Sequence, residues 1–151
     1  MQDYGGGARD GVERIAERLA ELLVLLGDDP QAAFGRIDDL YAEDIFFEDP
    51  LTRLHGRDAF HRMNRQLVAL AREFHVDVHE RAVAGDSIFL AWTFHYRVKF
   101  GPLLHVPGVT RARVRDGKVV EHRDYWDLLS SLLETIPGLR TLQRRLVERL
   151  G

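Results

Sequence analysis

The chain has 151 residues, 45% hydrophobic and 30% charged, which is one domain of ordinary globular composition with enough length to bury a core. It has no cysteine, which removes disulfides, thiolate metal sites and a cysteine nucleophile. A formal charge of -3 argues against a nucleic-acid binder, no apolar run approaches the roughly 20 residues of a membrane span, and no signal-peptide pattern opens the chain, so a cytoplasmic protein is expected.

Residues Met1 to Ala8 include Gly5, Gly6 and Gly7 in a row and read as a disordered lead-in. From Arg9, Val12, Ile15, Leu19, Leu22, Leu23 and Leu26 recur at helical spacing, with charged residues on the other faces, so an amphipathic helix is expected, ended by Gly27. Asp28-Asp29-Pro30 supplies a capping carboxylate and a proline for a second helix, Pro30 to Tyr41, with Ala33, Phe34, Ile37, Leu40 and Tyr41 as its apolar stripe. Asp44 to Pro50 is short and aromatic and reads as a strand that puts Ile45, Phe47 and Asp49 on one face. Leu51 to Gly56 is expected to be a loop, and a third helix follows with Phe60, Met63, Leu67, Leu70 and Ala71 buried.

Strands fill the next part. Phe74 to Val83 alternates, Ala84-Gly85-Asp86 turns the chain, and Ser87 to Phe100 puts Ile88, Leu90, Trp92, Phe94, Tyr96 and Val98 on one face. Gly101, Pro102, Pro107 and Gly108 predict a loop, with at most a short strand near Leu103 to Val106, before a strand from Val109 to Arg115. Asp116-Gly117 is a tight-turn dipeptide that pairs this strand with Gly117 to Asp127. Alternation there groups Val120, His122, Asp124 and Trp126, so an imidazole, a carboxylate and an indole share a half-buried face. The tail carries two leucine stripes, one from Leu128 to Ile136 and one from Leu139 to Leu150, separated by Pro137-Gly138. Both need cover, and residues 128–151 are expected to pack over the domain or onto a partner subunit. Helices first, then a mostly antiparallel sheet, give an α+β fold with one domain over residues 9–127.

The segments Leu40-Tyr41-Ala42-Glu43-Asp44, Phe47-Glu48-Asp49-Pro50 and His55-Gly56-Arg57-Asp58 resemble the second-helix and first-strand signature of ketosteroid isomerase. Gly117-Lys118 through Arg123-Asp124-Tyr125-Trp126-Asp127 resembles the last strand of limonene epoxide hydrolase. With the order of elements, these segments make the chain similar to the nuclear transport factor 2-like superfamily, which also includes the SnoaL-like polyketide cyclases. The resemblance implies a cone-like curved sheet wrapped around N-terminal helices, a hydrophobic pocket and a homodimer. No motif in the sequence fixes a cofactor, and neither a cofactor nor a metal is expected.

Carried over by position, Asp49 falls on the isomerase's general base, but the first helix offers no tyrosine for an oxyanion, and its second oxyanion acid falls near His105 or Val106. Asp124 falls on one carboxylate of the epoxide hydrolase. The arginine and second aspartate of that enzyme would fall at Trp92 and Phe94, or at His95 and Arg97, and neither register supplies them. The SnoaL-like cyclases imply a smaller set, an acid/base aspartate with a histidine nearby, which Asp124 and His122 match.

Each candidate has a structural alternative. Asp124 reads as a pocket acid or as an ion-pair partner of Arg111 or Arg113; His122 tunes it or is a core histidine; Asp49 is a second pocket acid or caps the turn at Pro50. Phe47, Trp92, Phe94, Tyr96 and Trp126 line the pocket or fill the core. His75, Asp77 and His79 alternate in a pattern that suits a metal but reads more simply as a wet strand edge. The expected function is acid/base chemistry at a pocket aspartate on a small hydrophobic molecule, by an isomerase, cyclase or hydrolase; the alternative is a noncatalytic ligand-binding or dimerisation domain of the same fold.

Overall fold

The leucine periodicity becomes helix α1 (Gly6–Asp28) in the computed structural model, which describes residues 6–127, 129–131 and 138–150. The helix begins inside the expected lead-in, whose residues 1–5 lie outside the described residues. Leu19, Leu22, Leu23 and Leu26 are buried, each contributing about 1.5–3 kcal/mol of apolar burial. Gly27 does not end the helix. A Cβ at that position would stand 2.6 Å from the Phe74 carbonyl oxygen and 2.9 Å from His75 Cα, so the glycine is where the helix meets the sheet.

Helix α2 (Pro30–Leu40) starts as its residues dictate: Asp29 accepts from the Ala32 N–H at 3.2 Å and Pro30 takes the first turn. Tyr41 leaves the helix with extended backbone while its N–H still bonds the Ile37 carbonyl, and strand β1 (Tyr41–Glu48) begins there without a loop. The expected loop after Pro50 contains a short strand, β2 (Arg53–His55), paired antiparallel to β1. Helix α3 (Arg57–Leu70) turns Phe60 and Asn64 inward. Leu70, expected in the buried stripe, is 58% exposed: it is the last residue of the helix, and at about 100° per residue it has rotated off the inward line that Phe60, Asn64 and Leu67 share.

Strands β3 (Ala71–Ala84), β4 (Ser87–Val98), β5 (Leu104–Arg115) and β6 (Lys118–Trp126) complete a six-stranded curved sheet in the order β2-β1-β6-β5-β4-β3. Only β1 and β6 run parallel. The expected break at Pro107-Gly108 is a correction: β5 runs through both. Pairing with β6 stops at Gly108, so Pro107 sits where β5 has a neighbour on one side only. Gly108 is required by packing, since a Cβ there would lie 2.3 Å from Trp92 Cη2. The turn at Asp116 and Gly117 has positive φ at both residues, 52° and 74°, which explains the dipeptide.

A bulge in β6 alters the expected faces. Arg113 pairs with Glu121 but Val114 with Val119, so Val120 is the extra residue. Val119, not Val120, therefore joins His122 in the core. After the strand, the Asp127 side chain accepts from the Ser130 N–H at 3.0 Å and starts a helical turn over residues 129–131. Most of the first leucine stripe of the tail, Leu128 and residues 132–137, lies outside the described residues, and helix α4 (Leu139–Leu150) follows. Among the described residues no helix is long and apolar enough to cross a membrane.

Candidate functional site

Helices α1 and α3 stand off the inner face of the sheet and leave a cavity of about 390 Å³. All eight residues singled out in the sequence reach its wall: Phe47 and Asp49 at the end of β1, Trp92, Phe94 and Tyr96 on β4, and His122, Asp124 and Trp126 on β6. Leu22, Leu23 and Leu26 of α1 and Met63 and Leu67 of α3 close the other side. Ser131, buried and on the wall, is the part of the tail extension seen at this cavity.

Among the described residues Asp124 has no arginine partner. The β6 bulge places it opposite Thr110, and Thr110 donates to its Oδ1 at 2.5 Å. His122 Nε2 lies 2.9 Å from the same oxygen. The Thr110 hydroxyl accepts in turn from the Trp92 indole N–H at 2.8 Å. Arg111 goes instead to Glu121, Arg113 to Asp86, and Arg123 to Glu48 and Glu121, so the arginines satisfy each other's acids on the opposite face. The Asp124 side chain is 13% exposed, and its Oδ2 takes no hydrogen bond from any described residue. One oxygen is held, and the other is uncommitted among the described residues, on a side chain that lines the cavity.

His122 is 2% exposed and packed among the rings of Tyr41, Phe47 and Phe60, with centroids 5.3–5.9 Å away. Its second nitrogen, Nδ1, lies 2.9 Å from the Tyr41 hydroxyl. Burial, with the Asp124 charge adding to it, raises the Tyr41 hydroxyl well above a normal tyrosine pKa. Tyr41 and Thr110 were not found from the sequence. Thr110 becomes a candidate only once the bulge is known, and Tyr41 reads as one more apolar residue of a helical stripe.

Asp49 combines both of its readings. Its Oδ1 accepts from the backbone N–H groups of Leu51 and Thr52 at 2.8 and 2.6 Å, the turn role, while its side chain also lines the cavity. Burial raises its pKa; the two backbone donors oppose that shift and the Asp124 charge reinforces it. Tyr96 is committed to the Leu67 carbonyl at 2.8 Å and so ties β4 to α3. The described wall carries two carboxylates, several aromatic rings and neither arginine nor lysine.

On the other face, His75, Asp77 and His79 do not converge. His75 lies between Asp28 and Asp77, Asp77 also meets His95, and His79 bonds Thr93. Hydrogen bonds to Asp28 and Asp77 raise the His75 pKa, and those from His95 and His75 lower that of Asp77.

The family described as SnoaL-like domain matches residues 27–122. No curated protein matches the chain. Among solved structures, an LEH-like epoxide hydrolase of M. tuberculosis superposes with a TM-score of 0.68 at 18% identity, over 90% of this chain and 97% of that one. A protein described as a SnoaL-like polyketide cyclase, from Jannaschia sp. CCS1, gives 0.69 at 19%, over 89% and 97%. A protein with a ketosteroid isomerase-like fold from Catenulispora acidiphila DSM 44928, in complex with trimethylamine, gives 0.65 at 23%, over 78% and 89%. At these identities the likeness establishes the fold.

Proposed function

Because the chain belongs to the SnoaL-like domain family, with the match spanning residues 27–122, we propose that it is an acid/base enzyme acting on a small hydrophobic carbonyl compound, with Asp124 as the base. The observation that carries this reading is the Asp124 carboxylate on an apolar cavity wall, Oδ1 held by Thr110 and His122 and Oδ2 uncommitted. In the reaction, Oδ2 takes a proton from the carbon next to the substrate carbonyl. Asp49, whose burial keeps its proton to higher pH than usual, donates to the carbonyl oxygen, and the enol forms. Return of the Asp124 proton to a different carbon, with the enol O–H proton going back to Asp49, completes an isomerisation; attack by the enol carbon on a second carbonyl of the same molecule, with the enol proton returning to Asp49 and the Asp124 proton passing to the new alkoxide oxygen, completes a cyclisation. Epoxide hydrolysis is the weaker reading, since the described wall has no arginine to bridge two aspartates.

The alternative, a noncatalytic pocket, draws on the turn that Asp49 caps. The test is proton exchange. Wild type in deuterated buffer with a panel of small hydrophobic ketones is expected to exchange α-hydrogens, followed by NMR. Asp124→Asn is expected to lose this by at least about 100-fold with its circular dichroism intact. Equal exchange in the variant removes Asp124 from the reaction, and binding without exchange favours the passive pocket.

The same reading includes a homodimer. Val109 and Tyr125, adjacent on the outer face and 39% and 52% exposed, support pairing through the sheet. Light scattering at micromolar concentration that returns only the monomer mass counts against it.

A further inference from the structure

Four buried side chains form one hydrogen-bonded row beside the cavity: Trp92, Thr110 and, on the other side of the shared Asp124 oxygen, His122 and Tyr41. We propose that Tyr41 is a positioning residue of this site, donating its hydroxyl proton to His122 Nδ1 and so fixing the imidazole as the tautomer that donates from Nε2 to Asp124. The consequence for catalysis rests on Asp124 being the base; the tautomer does not.

The assignment follows from counting protons. The indole N–H of Trp92 has only a donor to offer, so Thr110 Oγ1 accepts from it and points its own hydrogen at Asp124 Oδ1. That oxygen is therefore an acceptor, and the facing His122 Nε2 must carry a hydrogen. Nδ1 of the neutral ring then has a lone pair, which accepts from Tyr41. Every N–H and O–H in the row has an acceptor. If Nδ1 carried the hydrogen instead, Nε2 would present a lone pair to Oδ1, and the Tyr41 hydrogen would have no acceptor among the described residues. Tyr41 is 0% exposed and His122 2%, so bulk water does not substitute readily. Phe47 and Phe60 pack against the ring and hinder it from turning away, and among the described residues its side-chain hydrogen-bond partners are Tyr41 and Asp124.

The position of Tyr41 is also secured from its backbone. Its N–H closes the last turn of α2, and its carbonyl accepts from the Arg57 guanidinium at 3.1 Å. Its ring packs on Phe60 at 4.6 Å. Without the hydroxyl, Nδ1 becomes a buried acceptor with no donor. The preference for the Nε2–H form then shrinks by what the Tyr41 hydrogen bond contributed, and the forms protonated at Nδ1 gain population. The other tautomer repels Asp124, and the imidazolium neutralises it; both weaken the base.

The experiment is long-range proton–nitrogen NMR on the full chain with 15N-labelled histidine, assigning His122 through His122→Gln. In wild type, Nε2 is expected in the protonated range and Nδ1 in the unprotonated range. In Tyr41→Phe, which keeps the ring, Nδ1 is expected to move towards the protonated range, with the ratio of states changing by about 10- to 100-fold. A wild-type Nδ1–H, or nitrogens unchanged in Tyr41→Phe, overturns the proposal. Should Tyr41→Phe fail to fold, the wild-type spectrum alone decides the tautomer. In the exchange assay Tyr41→Phe is expected to lower kcat by about 10-fold or more while KM holds. The predicted spectra without turnover in either protein leave Tyr41 its role and refute only the catalytic reading.

Discussion

Thr110→Val tests the inner wall without knowledge of the substrate. Valine has nearly the volume of threonine, so packing is preserved and only the hydroxyl is lost. Two groups then lose a partner. The Trp92 indole N–H, on a residue 2% exposed, has no other acceptor among the described residues and costs about 1–3 kcal/mol. Asp124 Oδ1 keeps His122 but loses a hydrogen bond to a charged group, nominally about 1.5–3 kcal/mol, discounted here because the carboxylate borders the cavity. The expected loss is about 2–4 kcal/mol. At roughly 2–4 °C per kcal/mol for a chain of this size, Tm falls by about 5–15 °C. Differential scanning calorimetry and urea midpoints measure it, with Thr110→Ser as the control that keeps the hydroxyl and loses only a methyl. If Thr110→Val is within about 0.5 kcal/mol of wild type, or Thr110→Ser is as damaged, the Trp92–Thr110–Asp124 row does not hold the wall and the reasoning fails.

Gly108→Ala places a methyl 2.3 Å from Trp92 Cη2 and displaces the indole from both its packing and Thr110; we expect about 1–3 kcal/mol of destabilisation with a changed tryptophan emission spectrum, and unchanged emission removes the close approach as the reason for the glycine. Asp49→Asn keeps the turn acceptor and removes a carboxylate whose folded pKa is raised by burial. A raised carboxylate stabilises least when ionised: its contribution falls as pH rises from the unfolded value, 3.8, through the higher folded one. Asp49→Asn should therefore gain stability relative to wild type on going from pH 3 to pH 7, read from urea midpoints, and a gap that is constant or shrinks over that range refutes burial as the cause of the raised pKa.

The elements, their order and their inward faces were legible in the sequence because periodicity is a local property. A leucine stripe from Ile15 to Leu26 has one way to hide, and Asp29-Pro30 and Asp116-Gly117 set their helix start and hairpin by bonds within a few residues. That sufficed to bring Asp49, His122, Asp124 and the five aromatic residues to one cavity. Three features were decided elsewhere. The chain runs on as strand through Pro107 and Gly108, against local propensity, because Trp92 needs the space over the glycine and no β6 residue pairs with the proline. The bulge at Val120 shifts the register of β6 by one, and only then does Thr110 stand opposite Asp124. Tyr41 meets His122 across 81 residues, at a junction where a helix passes into a strand without a loop. Sequence pattern fixes which side of an element faces inward, but not how far neighbouring elements slide. A hydrogen bond tolerates a few tenths of an ångström, so Thr110, the cross-strand partner of the carboxylate, was settled by packing, while His122, two residues away on the same strand, was legible from the alternation.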